Sequence, residues 1–174
     1  MVKKIIILII IFIISSCGDH YLTSSNGLRS KNFYKRYIDK RINPNTIEIK
    51  TDIIYIDSHY YKNGELFKSE NAKKDYFRFY KNGTCYRFND YGSKNLNKLS
   101  FNPKKGDIGF TIKKGKKYFL MTYSIIDGGG FSQSEIRMKD DTLVIYSKNG
   151  KDEFFSYFKK MKVPREWLDW KPDY

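Results

Sequence analysis

The tripeptide Lys-Asn-Gly occurs three times, at 62–64, 81–83 and 148–150, each time between segments rich in aromatic and β-branched residues. Asn-Gly is the preferred centre of a two-residue hairpin, because both positions tolerate positive φ. Lys114-Gly115 and Asp140-Asp141 read as turns on the same grounds. Between these turns the pattern predicts strands near 47–61, 65–69, 75–81, 84–89, 107–113, 117–126, 131–138, 142–148 and 151–160. Sequential antiparallel strands with short connections form a meander, and eight or nine of them close into a barrel or a strongly curved sheet around one core. The expected fold class is therefore all-β, an antiparallel meander of eight to nine strands with one N-terminal helix and a short C-terminal helical tail. A chain of 174 residues has room for one such domain, expected over 31–174.

The helix is read over Lys31–Ile42. Phe33, Tyr34, Tyr37, Ile38 and Ile42 fall at helical spacing, Ser30 is a candidate N-cap, and Asn43-Pro44 stops the run. Its apolar stripe either packs on the domain or, with Lys31, Lys35, Arg36, Lys40 and Arg41 on the remaining surface, rests on acidic head groups. At the other end, Pro164 opens a short helix that stops before Pro172 and places Trp167 and Trp170 on one face. That pair either covers an end or edge of the sheet or is exposed as an anchor for a partner protein or glycan.

The first seventeen residues set the cellular context. Lys3 and Lys4 precede an apolar run from Ile5 to Ile14, and Ser15 and Ser16 lead into Cys17. This is the pattern of a secretory signal, and the ten-residue run falls short of the roughly 20 that a helical span needs. Ile14-Ser15-Ser16-Cys17 resembles a bacterial lipobox, in which an aliphatic and two small residues precede a lipidated cysteine. The resemblance implies removal of residues 1–16, a thioether-linked diacylglycerol on Cys17, and acyl chains such as palmitate that hold the protein on a membrane of the cell envelope, facing the periplasm or the exterior. Residues 17–30 then read as a polar tether. With Cys17 carrying lipid, Cys85 has no partner for a disulfide within the chain and reads as a packed thiol.

The formal charge is +14, and Lys, Ile, Asn, Tyr and Phe, all with A/T-rich codons, make up half of the chain while Ala occurs once. Composition therefore competes with an anionic partner as the source of the basic excess. No dense Lys/Arg block or aromatic RNA-binding signature marks a nucleic-acid module. Two cysteines and two histidines leave too few soft ligands for a zinc or iron–sulfur site, and no cofactor is implied.

The clearest constellation lies on the second Asn-Gly hairpin. Pairing Lys81 with Thr84 puts Phe77, Phe79, Tyr86 and Phe88 on a core face, with Tyr76, Arg78, Tyr80, Cys85, Arg87 and Asn89 on the other. In that register Arg78 and Arg87 stand opposite each other, which is costly unless water, an acid or an anionic ligand separates them. The face is either a solvated surface or, if it lines a cavity, a site for a carboxylate or phosphate held by two guanidinium groups between Tyr76 and Tyr80. A strict meander places turns 63, 82, 115 and 140 at one end. The loops 70–74, 90–106 and 127–130 and the turn at 149 then share the other, where Lys94, Lys98, Lys104, Lys105 and Asp127-Gly128-Gly129-Gly130 would frame a mouth.

Catalytic patterns fail. Ser132 lies in Gly-Phe-Ser-Gln-Ser without the closing glycine of a nucleophile elbow, and Asp140 and Asp141 share a tight turn where they cannot flank a bond. No P-loop, CxxC or HExxH occurs. In strand count and turn style the domain is similar to the lipocalin-like domains of small bacterial envelope lipoproteins, although it lacks the Gly-x-Trp that lipocalins usually carry near the first strand. The expected function is a lipid-anchored, non-enzymatic binding protein holding an anionic or amphipathic small molecule. The alternative is an interaction lipoprotein that docks an envelope protein or polysaccharide through its loops and the Trp tail.

Overall fold

A computed structural model of the chain describes residues 20–22, 28–67, 74–89, 96–124 and 130–173. The signal segment, Cys17, Lys94 and Asp127-Gly128-Gly129 lie outside the described residues. Two three-residue strands, β1 (His20–Leu22) and β2 (Leu28–Ser30), pair with each other and lead into helix α1 (Lys31–Tyr37). Nine strands follow: β3 (Ile54–Lys62), β4 (Glu65–Phe67), β5 (Asp75–Phe79), β6 (Thr84–Asn89), β7 (Asp107–Lys114), β8 (Lys117–Ser124), β9 (Gly130–Lys139), β10 (Thr142–Asn149) and β11 (Asp152–Met161).

All neighbours are antiparallel, and β11 returns to pair with β3 from Phe154↔Lys62 to Met161↔Ile54. This closes an eight-stranded barrel and removes its open edges, with β4 outside the ring. β4 pairs with the upper part of β3, Tyr60 to Lys62, whereas β5 pairs with Ile54 to Ile56 of the same edge. Because β4 is not a barrel stave, the turn at 63 moves to the end opposite the one expected. There Asn63 bonds the hairpin between β10 and β11, its amide nitrogen donating to Asp152 Oδ1 at 2.9 Å and its backbone N–H to the Glu153 carbonyl at 2.8 Å. The turns near 82, 115 and 140 occupy the other end.

Each Asn-Gly forms a different turn. Asn63 (φ 52°) and Gly64 (φ 84°) are the two central residues between paired Lys62 and Glu65, as the left-handed preference of both requires. Asn149 instead pairs with Asp152, leaving Gly150-Lys151 as the loop. At the second site Tyr80, not Lys81, bonds Thr84, giving a three-residue loop with Gly83 at φ 81°. Gly83 is required there: a Cβ would lie 2.5 Å from the carbonyl oxygen of Ile42.

The helix is shorter than expected. Ser30 accepts from the Phe33 N–H at 3.1 Å and Phe33 and Tyr37 are buried, but the α-helix ends at Tyr37 and one 3₁₀ turn covers Ile38–Lys40. Arg41 is then drawn into extended backbone, bridging to Ile112 while its guanidinium bonds the Ile38 carbonyl and Thr84 Oγ1. The strand expected from 47 begins at 54, because Asn43 caps a 3₁₀ turn over Pro44–Ile47 and Glu48 takes positive φ. The polar tether also ends earlier than Ser30. Arg29 is fully buried, donating to the carbonyls of Gly106 and Pro103 and pairing with Asp173 at 3.0 Å, so the two ends of the domain are clasped together.

Two apolar cores flank the sheet. Inside the barrel Tyr55, Phe77, Phe79, Cys85, Leu120, Ile136, Leu143, Ile145 and Phe158 pack together, joined by Ile49 from the segment before β3. Gly109 leaves room for Cys85, whose Sγ would stand 2.8 Å from an added Cβ. Outside, Tyr76, Tyr86, Phe88, Ile108, Phe110 and Ile112 are covered by Phe33 and Tyr37 of α1, by Phe101, and by Trp167 and Leu168 of the tail.

Candidate functional site

The one-residue change of register at the second hairpin relocates the expected site. Arg78 pairs with Tyr86 and Phe77 with Arg87, so the two arginines do not face each other but lie on opposite sides of the barrel wall. Tyr76, Arg78 and Tyr80 point outward. Tyr76 packs edge-on against Phe101, with ring centroids 5.7 Å apart. Arg78, 3% exposed, donates to the carbonyls of Trp167 and Leu168 and lies 4.5 Å from the Tyr80 ring centroid. Burial lowers its affinity for a proton and pushes the Tyr80 hydroxyl up to about 12. These contacts fasten the C-terminal tail, and an outer recess of about 550 Å³ bordered by Arg78, Tyr80, Lys81, Arg165 and Asp169 runs beside it.

The tail itself is a 3₁₀ turn at Arg165–Leu168. Trp167 packs on Phe101 at 5.7 Å, and Trp170 Nε1 donates to the Lys98 carbonyl at 3.0 Å. Both tryptophans are half-buried against the chain's own outer layer. Lys104 and Lys105 belong to a 3₁₀ turn, Pro103–Lys105, in the same covering segment.

Arg87 alone of the four faces the barrel interior, and it opens onto a cavity of about 800 Å³ at the end that carries the turns at 63 and 150. The cavity follows from strand alternation. Toward this end the inward positions of successive strands are polar: Asp57 on β3, Asp75 on β5, Arg87 on β6, Thr122 on β8, Ser132 and Ser134 on β9, Ser147 on β10 and Ser156 on β11. Toward the other end the inward residues of the same strands are Tyr55, Phe79, Cys85, Leu120, Ile136, Leu143 and Phe158. Polar walls thus rise from an apolar floor made by Phe77, Leu120, Ile145 and Phe158.

A β-bulge adds a further group. The register between β3 and β11 runs Asp57↔Phe158, then His59↔Tyr157, then Tyr60↔Ser156, leaving Ser58 unpaired in the ladder. Ser58 Oγ donates to the Tyr157 carbonyl at 2.9 Å, and Asp57 and Tyr60, three residues apart, both reach the cavity. His59 is turned to the outer surface, where it stacks on Tyr157 with centroids 4.6 Å apart, whereas Ser132 bonds Thr122 inside.

The charges of the cavity are unequal in their compensation. Arg87 Nε donates to Asp75 Oδ2 at 2.9 Å, and Nη2 bonds the same oxygen. Lys148 is engaged by Glu153 at 3.3 Å. Asp57 makes no ion pair among the described residues, although a bond from the Ser58 backbone and the charges of His59 and Arg87 partly offset its charge, and its Oδ1 is buried with no hydrogen-bond partner. Burial, and then the charge of Asp75, raise its carboxyl above the ordinary carboxylate range. Among the described residues no group of three or more His, Cys, Asp or Glu side chains could hold a metal ion.

The sequence reading missed Asp57, Asp75 and the serine positions. Their signal was present as small polar residues at alternate positions near strand ends, Ser132 and Ser134 most plainly, but selecting the inward set required the register and the bulge. No protein-family model, curated protein or solved structure matches the chain.

Proposed function

We propose that this protein is a lipid-anchored envelope lipoprotein, held to a membrane through Cys17, whose barrel binds an amphipathic small molecule without catalysing a reaction. The observation that carries the reading is the 800 Å³ cavity, open at one end of the barrel, with hydroxyl-lined walls above a floor of Phe77, Leu120, Ile145 and Phe158. Cavities of this size and mixed lining suit one ligand that buries an apolar part and leaves a polar part at the rim. The anionic form of the ligand expectation rested on Arg78 and Arg87 sharing a face, and that basis is gone.

Two measurements test the reading. A neutral fluorophore such as N-phenyl-1-naphthylamine should bind saturably, one per chain, with blue-shifted emission, and Ser134→Trp should abolish that binding by filling the cavity. An unsaturable signal, or equal binding by the variant, sinks the cavity as a site. Replacing Cys17 by Ala should move the protein from the membrane to the soluble fraction, and retention on membranes would remove the lipid anchor from the proposal.

A further inference from the structure

We infer that the ligand of the barrel cavity carries a protonated amine, seated against Asp57. The inference deepens the binding reading above and rests on it. Among the described residues Arg87 is the guanidinium that lines the cavity, and both its Nε and Nη2 are committed to Asp75. Asp107 stands opposite Arg87 in the ladder and adds a second negative charge beside it. Lys148, at the rim, is held by Glu153. What remains among the described residues is the Asp57 carboxylate, placed on the cavity wall by strand alternation from the inward Tyr55, with Oδ1 buried and unpartnered.

A buried acceptor without a donor is costly, and a carboxylate more so than a neutral group. An N–H donor arriving with a positive charge supplies the missing hydrogen bond and adds to the distant charges of His59 and Arg87 a cation in direct contact. Asn89 Oδ1, opposite Asp75 on the neighbouring strand, is a second buried acceptor without a donor at this end of the barrel. The net charge of +14 concentrates anions around the molecule as a whole. That long-range field decides what approaches, but the groups within hydrogen-bond reach decide what stays. Below the carboxylate, Phe77 and Phe158 give an alkyl or aromatic portion of the amine a place to lie.

The test is a competition on the full chain, with octylamine, octanol and octanoate displacing N-phenyl-1-naphthylamine at pH 7. Octylamine should displace the probe at about one-tenth the concentration of octanol, the gain of one charge-assisted hydrogen bond, with octanoate the weakest. Asp57→Asn should bring the amine down to the level of the alcohol, and Asp57→Glu, which keeps the charge, should retain the preference and so control for folding. Octanoate competing as well as octylamine, or an amine preference that survives Asp57→Asn, overturns the inference and leaves the cavity reading standing. A probe that never binds overturns both.

Discussion

The two ends of the barrel interior are built from the same strands and have opposite contents. At the end with the turns near 82, 115 and 140, the inward residues are Phe79, Cys85, Ile136 and Leu143, and Ile49 enters from the preceding segment to complete a filled core. At the end with the turns at 63 and 150, a few positions along each strand, serines, threonine and charged groups surround open space. The difference teaches how one barrel divides stability from binding. Close packing at one end supplies the cohesion that lets the other end keep polar groups apart and unfilled.

The comparison breaks most visibly if the ends respond alike to truncation. Phe79→Ala, which removes a ring with no exposed surface, should cost about 3–5 kcal/mol in denaturant or thermal unfolding. A loss below about 1 kcal/mol would show that the far end is not the filled half. Asp57→Asn sharpens the contrast with a change of opposite sign. Its raised carboxyl binds a proton more tightly folded than unfolded, so the native protein loses stability as pH rises from about 4 through the folded value. The variant should therefore unfold at higher temperature than the parent at pH 7, with the gap closing toward pH 4. A gap independent of pH would remove Asp57 from the desolvated wall. The smallest effect is expected for Ser147→Ala at the open end, within about 0.5 kcal/mol, and a larger cost would mean that the cavity is a packed polar network.

The barrel itself was legible because turn residues and aromatic runs mark its staves locally, and Ser30 and Asn43-Pro44 bracketed the helical segment. The site was not. Asn82-Gly83 is compatible with a two-residue turn centred on it and with a three-residue turn that includes Lys81, and these differ by one residue of register. The choice is made by distant groups: Arg41 and Ile42 lie against Gly83, and the Thr111 N–H donates to the Gly83 carbonyl at 2.8 Å. That single step turned Tyr76, Arg78 and Tyr80 out of the barrel and left Arg87 in it. The bulge at Ser58 depends in the same way on β11, a hundred residues along the chain, as the bond from Ser58 to Tyr157 shows. Arg29 likewise read as tether because its partners, Pro103, Gly106 and Asp173, come from remote segments.

The most direct measurement is native mass spectrometry of the protein purified from the envelope of the cells that make it, beside the Ser134→Trp variant prepared in the same way. The expected result is one additional small-molecule mass, basic in character, on the parent and none on the variant. The same added mass on both proteins, or none on the parent under ionisation gentle enough to preserve a known complex, would contradict a barrel whose open end exists to hold a ligand.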